Sequence, residues 1–360
     1  MRIVFALPAY HAGPIGGYIV HYQYADLLAR LGHEVTVLFP RQADGTVSGL
    51  EGLLWAAYVR LRNRPLVRWL PSDTTVKLRL VRDLSPRVLP DADVLIATAW
   101  QTALPLAAAP RRCGRKFYIV YDYEHLMTAG MAERQLIEST YALPFGIVAT
   151  SGVVADTVRR CGGTPLAVVP CGLDFSAFGM DVAPEQREPF TVGFPMRSEP
   201  FKGAADAIEA AAILRTRYGE RLRVTAFGSR RLGLPEWIEW LDYPSQPALR
   251  RFYNAQSVFL LPSHFEGWGL PGVEAMACGA AVVTADNGGC RDYAFDGETA
   301  SVVLPRQPQG LADAVGRLFE DDGLRIRLAR AGERFVQRFQ WRDAAERLNA
   351  VLSTEETHPA

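Results

Sequence analysis

Residues 1–40, MRIVFALPAYHAGPIGGYIVHYQYADLLARLGHEVTVLFP, contain the pattern that decides the fold. The apolar run directly after Met1 is typical of a buried parallel strand, because both faces of such a strand are covered. Gly16 and Gly17 then precede a helical pattern that stops at Gly32, and a second apolar run follows. Strand, glycine loop, helix and strand in this order predict the opening unit of a doubly wound α/β domain.

The same alternation of strands and helices restarts after a polar segment at 180–189, which contains two prolines and is typical of a linker. The sequence therefore predicts two doubly wound domains, at 1–182 and 190–340. A final helical pattern at 341–353 is expected to pack back toward the first domain. Ligands of open α/β folds bind at the carboxyl ends of the strands, so two facing domains would form a cleft at those ends.

Composition limits the function classes. The chain has 360 residues with 39 basic and 39 acidic side chains, and this balance argues against a polyanion-binding surface across the whole protein. The start lacks the long apolar core of a signal peptide, and no run of about 18 apolar residues is present. The cysteines are scattered and form no close pair, so we expect reduced thiols in a cytoplasmic protein. They are Cys113, Cys161, Cys171, Cys278 and Cys290.

The region 50–70 mixes aromatic and basic residues, with Trp55, Tyr58 and Trp69 among several arginines. A basic amphipathic helix of this kind can lie on an anionic membrane surface. The same pattern also fits surface helices whose aromatic side chains face their own core. Peripheral membrane contact and ordinary packing both remain open for this region.

Residues 264–279, HFEGWGLPGVEAMACG, combine two acidic residues with a tightly turning apolar segment. Glu266 lies on the predicted turn and Glu274 in the first turn of the predicted helix, where Pro271 is well tolerated. Free amides at the start of a helix favour an anion such as a phosphate. Carboxylates accept several hydrogen bonds each, as sugar hydroxyls require. The segment can therefore hold both ends of a nucleotide sugar, although either glutamate alone would equally suit a helix cap or an exposed turn.

The longer segment 264–303 closely resembles the signature of the retaining glycosyltransferases of family 4, which have the two-domain GT-B fold of Rossmann-like units. The resemblance extends over nearly the whole chain. It implies an N-terminal acceptor domain and a C-terminal donor domain. It further implies that Glu266 contacts the donor sugar, that Glu274 contacts the ribose, and that the intervening backbone lines the donor site. The intervening residues are Gly267, Trp268, Gly269 and Leu270.

The resemblance assigns further roles to residues that follow other strands. Arg197 and Lys202 match the basic pair that contacts the donor diphosphate, and Gly16 with Gly17 matches the loop over the donor phosphates. The growing negative charge on a nucleoside diphosphate leaving group requires such cations. The basic residue that often follows the glycine pair is absent, since Tyr18 stands there.

A second departure from the family pattern follows the predicted strand that begins at Lys116. Many relatives carry a histidine directly after this strand, where Tyr121 stands here, followed by Asp122. Asp122 is the candidate of this loop for contact with a sugar at the reacting centre. The run at 122–124 resembles a branch that includes rhamnosyl and polysaccharide transferases.

Two further residue sets have weaker assignments. Tyr243 is a candidate for stacking on the nucleobase. Asp91 and Asp93 form a DxD pattern, which holds a metal in other glycosyltransferases. Here the pair precedes a strand, at the edge opposite the predicted cleft, so we interpret it as a solvated turn. Neither a metal nor another cofactor is expected, because Arg197, Lys202 and a helix end can neutralise the diphosphate.

These residues predict a retaining, metal-independent glycosyltransferase. The donor would be a UDP-, GDP- or dTDP-linked sugar, and the acceptor a hydroxyl of a glycan, a glycolipid or a small natural product. Nucleic acid is not an expected partner. Two alternatives remain: a sugar-nucleotide epimerase or other GT-B enzyme, and a non-catalytic subunit that binds nucleotide sugars.

Overall fold

The computed structural model forms two compact units. The first unit comprises Met1–Cys171 and Trp341–Ala360, and the second comprises Gly172–Gln340. The region 50–70, with its mixed aromatic and basic pattern, lies outside the described residues. The described residues are 1–9, 16–40, 71–122, 124–126, 130–231 and 233–354.

Within the described residues, the first unit contains a seven-stranded parallel sheet. Its strands are β1 (Arg2–Ala6), β2 (Glu34–Pro40), β3 (Lys77–Val81), β4 (Val94–Ala97), β5 (Arg115–Val120), β6 (Gly146–Ala149) and β7 (Pro165–Val168). The helices between them are α1 (Gly16–Arg30), α2 (Trp100–Ala107), α3 (Met131–Thr140) and α4 (Gly152–Arg160). The spatial order is β3-β2-β1-β4-β5-β6-β7, so the direction of winding reverses between β1 and β4.

The second unit repeats this architecture with a six-stranded parallel sheet in its described part. Its strands are β8 (Thr191–Met196), β9 (Arg223–Gly228), β10 (Glu239–Asp242), β11 (Val258–Leu261), β12 (Ala281–Ala285) and β13 (Ser301–Val303). Its helices are α5 (Ala204–Tyr218), α6 (Gln246–Ala255), α7 (Leu270–Ala277), α8 (Pro308–Glu320) and α9 (Asp322–Val336). The order β10-β9-β8-β11-β12-β13 reverses between β8 and β11. The two predicted doubly wound domains are thus confirmed.

The apolar strands explain where each core lies. All residues of β4, β11 and β12 are buried, as expected where helices cover both faces of a parallel sheet. The alanine-rich helix α5 packs against the second sheet through small side chains, including Ala207 and Ala210, and through Leu214. Small residues let this helix lie close to the strands, so α5 holds a fixed position relative to β8.

The last helix, α10 (Trp341–Ser353), belongs to the first unit. His33 Nε2 and Asn349 Oδ1 are 2.7 Å apart, and the guanidinium of Arg115 donates to the carbonyl of Leu352. The ring of Trp341 meets Tyr24 of α1 edge-on, with 5.3 Å between the ring centroids. Polar and aromatic contacts therefore both hold α10 on the unit that contains the first residues of the chain.

The boundary between the units falls at Cys171–Gly172, ahead of the polar segment that the sequence presents as a linker. Residues 180–189 lie inside the second unit because Arg187 is buried there, with only 5% of its surface exposed. Its guanidinium donates to four backbone carbonyls, those of Val182, Tyr253, Gln256 and Cys278. The segment 180–189 is therefore polar in composition but anchored within the second unit by a buried side chain.

Replacing Arg187 with methionine is expected to lower the free energy of unfolding by roughly 3 kcal/mol, because several buried carbonyls lose their donor together. The midpoint of urea unfolding, followed by tryptophan fluorescence, measures the loss. The matched control is Arg330→Met, which breaks the exposed Arg330–Glu185 pair at the same segment. Exposed pairs contribute less than about 1 kcal/mol. Equal losses in the two variants would contradict an anchoring role for Arg187.

Candidate functional site

The sheet of the second unit brings two predicted site loops together. Strands β8 and β11 are neighbours, and the winding of the sheet reverses between them. Arg197 and Lys202 follow β8, and Glu266 follows β11, so these residues lie at the carboxyl edge of the switch point. Ligands of doubly wound folds bind at this edge.

Lys202 and Glu266 form a direct ion pair. Lys202 Nζ lies 2.8 Å from Glu266 Oε2, and the two side chains are only 18% and 12% exposed. Ser263 Oγ donates to the other oxygen, Oε1, over 2.7 Å. Both oxygens of Glu266 are therefore hydrogen-bonded in a largely desolvated position, where charge-assisted hydrogen bonds are strong.

Contacts between the two loops fix this pair. The amide of His264 donates to the carbonyl of Phe201 over 2.8 Å, and the rings of Phe201 and Phe265 stack at 4.3 Å. His264 Nε2 also lies 2.8 Å from Asp206 Oδ2 in the first turn of α5. Gly203 permits the close approach: it has φ of 69°, and a Cβ atom there would lie 2.2 Å from the carbonyl oxygen of Pro262. The loops thus form one preorganised surface.

The backbone of Glu266 is bonded to the segment after β12. The Glu266 amide donates to the carbonyl of Asn287 over 2.9 Å, and the Gly289 amide donates to the carbonyl of Glu266 over 3.1 Å. A Cβ atom on Gly289 would lie 2.7 Å from that carbonyl oxygen. The glycine pair Gly288–Gly289 therefore lets two chain segments meet at Glu266.

Helix α7 begins after Glu266, but one of the backbone amides expected to be free at its start already donates a hydrogen bond within the helix. Gly269 is the N-cap with φ of 86°, and its carbonyl accepts from the Gly272 amide and from Tyr293 Oη, both over 3.0 Å. The Gly272 amide is therefore not available to a ligand, because the first turn closes on itself. The amides of Gly269 and Leu270 make no hydrogen bond to other described residues.

Glu274 lies one turn further along α7 than the sequence suggests, because the helix begins at Leu270. Its Oε2 accepts a hydrogen bond of 2.7 Å from Tyr253 Oη. Burial raises the pKa of Glu274 to about 7, while this hydrogen bond and the charge of Arg197 act in the opposite direction. Arg197 itself is exposed, and its guanidinium lies 5.9 Å from the centre of the Phe227 ring. The second carboxylate thus has its own cation nearby.

Trp268 lies between the two glutamates, but its side chain belongs to the core. It is 1% exposed, and its ring packs 4.9 Å from Phe339 and 5.7 Å from Tyr293. The indole nitrogen has no hydrogen-bond partner among the described residues. The side chain of Trp268 is therefore not available to a donor, and contact through the backbone of Gly267 and Trp268 stays a prediction.

Tyr243 follows β10 and is the most exposed aromatic residue among the predicted site residues. Its side chain is 61% exposed, and its φ of 36° is unusual for a non-glycine residue. The Tyr243 amide donates to the carbonyl of Gly228 at the end of β9 over 2.7 Å. The loop therefore presents an open aromatic ring, and stacking on a nucleobase stays a prediction.

Two predicted segments of the first unit, those that follow β1 and β5, meet at the carboxyl edge of its sheet. Gly16 and Gly17 begin α1, and a Cβ atom on Gly17 would lie 3.5 Å from the ring of Tyr121. Asp122 comes next in the chain and is half-buried. The sequence pattern did not indicate His21, whose ring meets Tyr121 edge-on with 6.4 Å between centroids. A histidine one turn after a glycine pair was the only available signal.

His21 is an uncharged group at neutral pH. It is 5% exposed, and its Nδ1 has no hydrogen-bond partner among the described residues. Burial lowers the pKa of His21 to about 4, with the Thr98 carbonyl acting against that shift. Its imidazole therefore adds a polar but neutral surface beside Tyr121.

The DxD pattern has the surroundings of a surface turn. Asp93 accepts from the amide of Arg2 over 2.7 Å and from its guanidinium over 3.0 Å. Asp91 pairs with Arg112 at 2.9 Å, and both members of that pair are exposed. These contacts lie where β1 and β4 begin, opposite the edge at which ligands of such folds bind.

Comparisons with known proteins match each half of the chain to a glycosyltransferase domain model. Residues 16–177 match the family model Glycosyltransferase Family 4, and residues 180–335 match the model Glycosyl transferases group 1. Both halves of the chain are glycosyltransferase domains. The predicted type of domain is thereby confirmed, whereas the rhamnosyl branch is not distinguished.

The chain is similar to curated relatives over part of their length. It is 30% identical over 256 residues to a D-inositol 3-phosphate glycosyltransferase of Corynebacterium efficiens, covering 63% of this chain and 59% of the relative. A D-inositol 3-phosphate glycosyltransferase of Acidothermus cellulolyticus is also 30% identical, over 61% of this chain and 53% of its own. The chain thus spans less than two thirds of either relative.

Solved structures are similar to this chain in fold. Anabaena HepE in complex with UDP-glucose has a TM-score of 0.73 and 18% identity, covering 98% of this chain and 99% of its own. Sucrose-phosphate synthase from Thermosynechococcus elongatus has a TM-score of 0.71 and 16% identity, covering 97% and 98%. The glycosyltransferase domains of this chain therefore form the predicted GT-B fold. In the part of the chain that the structure describes, no helix is long and apolar enough to span a membrane.

Proposed function

We propose that this protein is a retaining glycosyltransferase that moves a sugar from a nucleoside diphosphate sugar to an acceptor hydroxyl. The observation that carries the proposal is the Lys202–Glu266–Ser263 cluster at the switch point of the second sheet. A cation and a carboxylate at this edge suit the two chemically different ends of one ligand. Lys202 suits the diphosphate, and Glu266 suits the hydroxyls of the transferred sugar.

The leaving group in this reaction is a nucleoside diphosphate. Lys202, Arg197 and the free amides at the start of α7 provide positive charge where that group would develop negative charge. These protein groups can stabilise the leaving group without a metal, so we propose a metal-independent reaction. The contribution of the protein is then mainly positioning and electrostatic stabilisation.

Retention at the anomeric carbon is proposed without a covalent intermediate on Glu266. Both oxygens of this carboxylate already accept hydrogen bonds, from Lys202 and from Ser263. Such a carboxylate suits the binding of hydroxyls better than nucleophilic attack. Attack on the same face as the leaving group, assisted by the departing phosphate, fits this arrangement. Asp122, in the first unit, is the proposed contact to a sugar at the reacting centre.

The donor and acceptor are proposed by class. HepE has been solved with UDP-glucose, so UDP is the first nucleotide to test, ahead of GDP and dTDP. The curated relatives are named for D-inositol 3-phosphate, so a small polyol acceptor is to be compared with glycan and glycolipid acceptors. Polysaccharide biosynthesis, the rhamnosyl branch, and a cytoplasmic location with peripheral membrane contact through 50–70 stay predictions from the sequence.

A thermal-shift panel with UDP, GDP and dTDP, each with and without EDTA, tests this proposal. A nucleotide at about 100 times its Kd adds about 2.7 kcal/mol to the stability of the folded state, enough to raise Tm by several degrees. We expect one nucleotide to raise Tm equally with and without EDTA. Asp91→Asn is the matched control and is expected to keep the Tm shift. If the DxD pattern held a metal needed for nucleotide binding, this change would reduce the shift as much as loss of Lys202.

Product release separates the proposed transferase from the two alternatives. The transferase releases nucleotide from the donor faster when acceptor is present. An epimerase changes the sugar without an acceptor, and a binding subunit shifts Tm without turnover. Absence of a Tm shift with all three nucleotides, together with no turnover of the corresponding sugar nucleotides, would contradict the proposal.

A further inference from the structure

The carboxylate of Glu274 is held from one side by a single hydroxyl. Tyr253 Oη on α6 donates to Oε2 of Glu274 on α7 over 2.7 Å. Among the described residues no donor reaches the other oxygen, Oε1, and the side chain is half-buried rather than enclosed. The contact thus fixes one oxygen and leaves the second for a hydroxyl group of a ligand.

The ring of Tyr253 is itself fixed by aromatic packing. Tyr253 is fully buried, and its ring meets four phenylalanine rings edge-on at centroid distances of 5.1 to 6.0 Å. Edge-on packing of this kind favours one ring orientation. The hydroxyl of Tyr253 therefore has little freedom to leave Glu274. The four rings are Phe178, Phe227, Phe252 and Phe259.

The ionisable groups around Glu274 come from three elements. Arg197, after β8, stabilises the charged carboxylate. Burial, with a smaller contribution from Glu274, raises the pKa of Cys278, the C-cap residue of α7, to about 12, so Cys278 stays a thiol. Burial also holds the pKa of Tyr253 well above its ordinary value, so its hydroxyl remains a donor. Tyr253 and Arg197 are thus the groups that favour the ionised form of Glu274.

We propose that Tyr253 is a positioning residue of the donor site, which holds the Glu274 carboxylate with one oxygen free for the ribose hydroxyls of the nucleotide. This inference rests on the proposed function, because it takes Glu274, which the family resemblance assigns to the ribose, as part of the nucleotide site. It adds a residue of α6 to a site that is otherwise built from the loops after β8 and β11.

The first test measures the ionisation of Glu274 without any ligand. Protein labelled with ¹³C at the glutamate carboxyl carbons is titrated by NMR, and the Glu274 signal is identified by its loss in Glu274→Gln. In the wild type its midpoint is expected near pH 7, because burial raises the pKa to about 7. Tyr253→Phe keeps the ring but removes the donor to the carboxylate, so the midpoint is expected to move up by about one pH unit.

The second test measures UDP affinity by calorimetry at pH 7. In Tyr253→Phe the carboxylate is less ionised and no longer held, so we expect UDP to bind about tenfold more weakly. The matched control is Tyr218→Phe. Tyr218 Oη also donates to a glutamate, Glu320, over 2.9 Å, but it lies at the carboxyl end of α5, where the neighbouring strands begin. We expect Tyr218→Phe to leave both the Glu274 midpoint and the UDP affinity unchanged.

The outcomes separate this inference from the proposed function. An unchanged midpoint in Tyr253→Phe overturns the inference, whatever UDP does. A raised midpoint with unchanged UDP affinity, in a protein whose wild type binds UDP, also overturns the positioning role. If the midpoint rises but the wild type binds no UDP, the contact of Tyr253 with the Glu274 carboxylate is supported, whereas the proposal of a UDP-linked donor is contradicted.

Discussion

Replacing Lys202 with methionine is expected to lower kcat for sugar transfer by about 10²- to 10³-fold, the usual effect of losing one preorganised group that stabilises developing charge. The same change leaves Glu266 without its cation in a position where its side chain is only 12% exposed. Breaking a fully buried pair costs roughly 3–5 kcal/mol, and partial solvent access at this pair reduces that to roughly 1–3 kcal/mol. Single-turnover kinetics and Tm measure the two effects separately.

The double variant Lys202→Met/Glu266→Gln distinguishes the two effects of the first change. Glutamine still accepts from Ser263 and carries no charge, so the double variant is expected to regain most of the lost Tm. Its kcat is expected to stay low, because the cation for the diphosphate is still missing. A double variant that regains activity together with stability would show that Lys202 serves the fold and not the reaction.

Among glycine-to-alanine substitutions in the site, Gly203→Ala is expected to cause the largest loss of stability. The new Cβ atom would lie 2.2 Å from the carbonyl oxygen of Pro262, so the loops after β8 and β11 must separate. Overpacking of this kind costs about 1–3 kcal/mol, and the positive φ adds about 1–2 kcal/mol. A fall in Tm of roughly 4–20 °C would follow for a domain of this size.

The control for this prediction is a glycine away from the site. Gly297, in an exposed turn of the second unit, has φ of 73°, close to the 69° of Gly203, but a Cβ atom there would meet no atom within 4 Å. Gly297→Ala therefore carries only the backbone penalty and is expected to keep normal transfer activity. Gly203→Ala is expected to lose activity as well, since the separation of the loops also parts Lys202 from Glu266. Equal Tm losses in the two variants would contradict the close approach of the loops.

The order of strands and helices was predictable because buried parallel strands are apolar along their whole length and the intervening helices are amphipathic. The meeting of Lys202 and Glu266 was predictable for a related reason. Both lie in loops that follow neighbouring strands, and the topology alone brings the ends of such strands together. Position along the chain was therefore sufficient to place these two residues at one edge of the sheet, while their roles stay predictions.

Residues whose role depends on side-chain direction were not predictable in this way. Tyr253 lies in an amphipathic helix, and nothing in its spacing shows that its hydroxyl reaches Glu274. Arg187 appears in a polar segment, and only the fold shows that four carbonyls surround it. Trp268 fits a ligand contact by position, yet its ring packs into the core. In each case packing between distant segments determined the outcome.

The ion pair of Glu266 with Lys202 has a consequence for turnover. A ligand that binds both side chains competes with a contact of 2.8 Å that already exists, so part of its binding energy is spent on weakening that contact. A nucleotide sugar brings an anion for the lysine and hydroxyls for the glutamate, and compensates both. The nucleoside diphosphate left after transfer has no such sugar for the glutamate, so re-formation of the ion pair competes with the product and favours its departure.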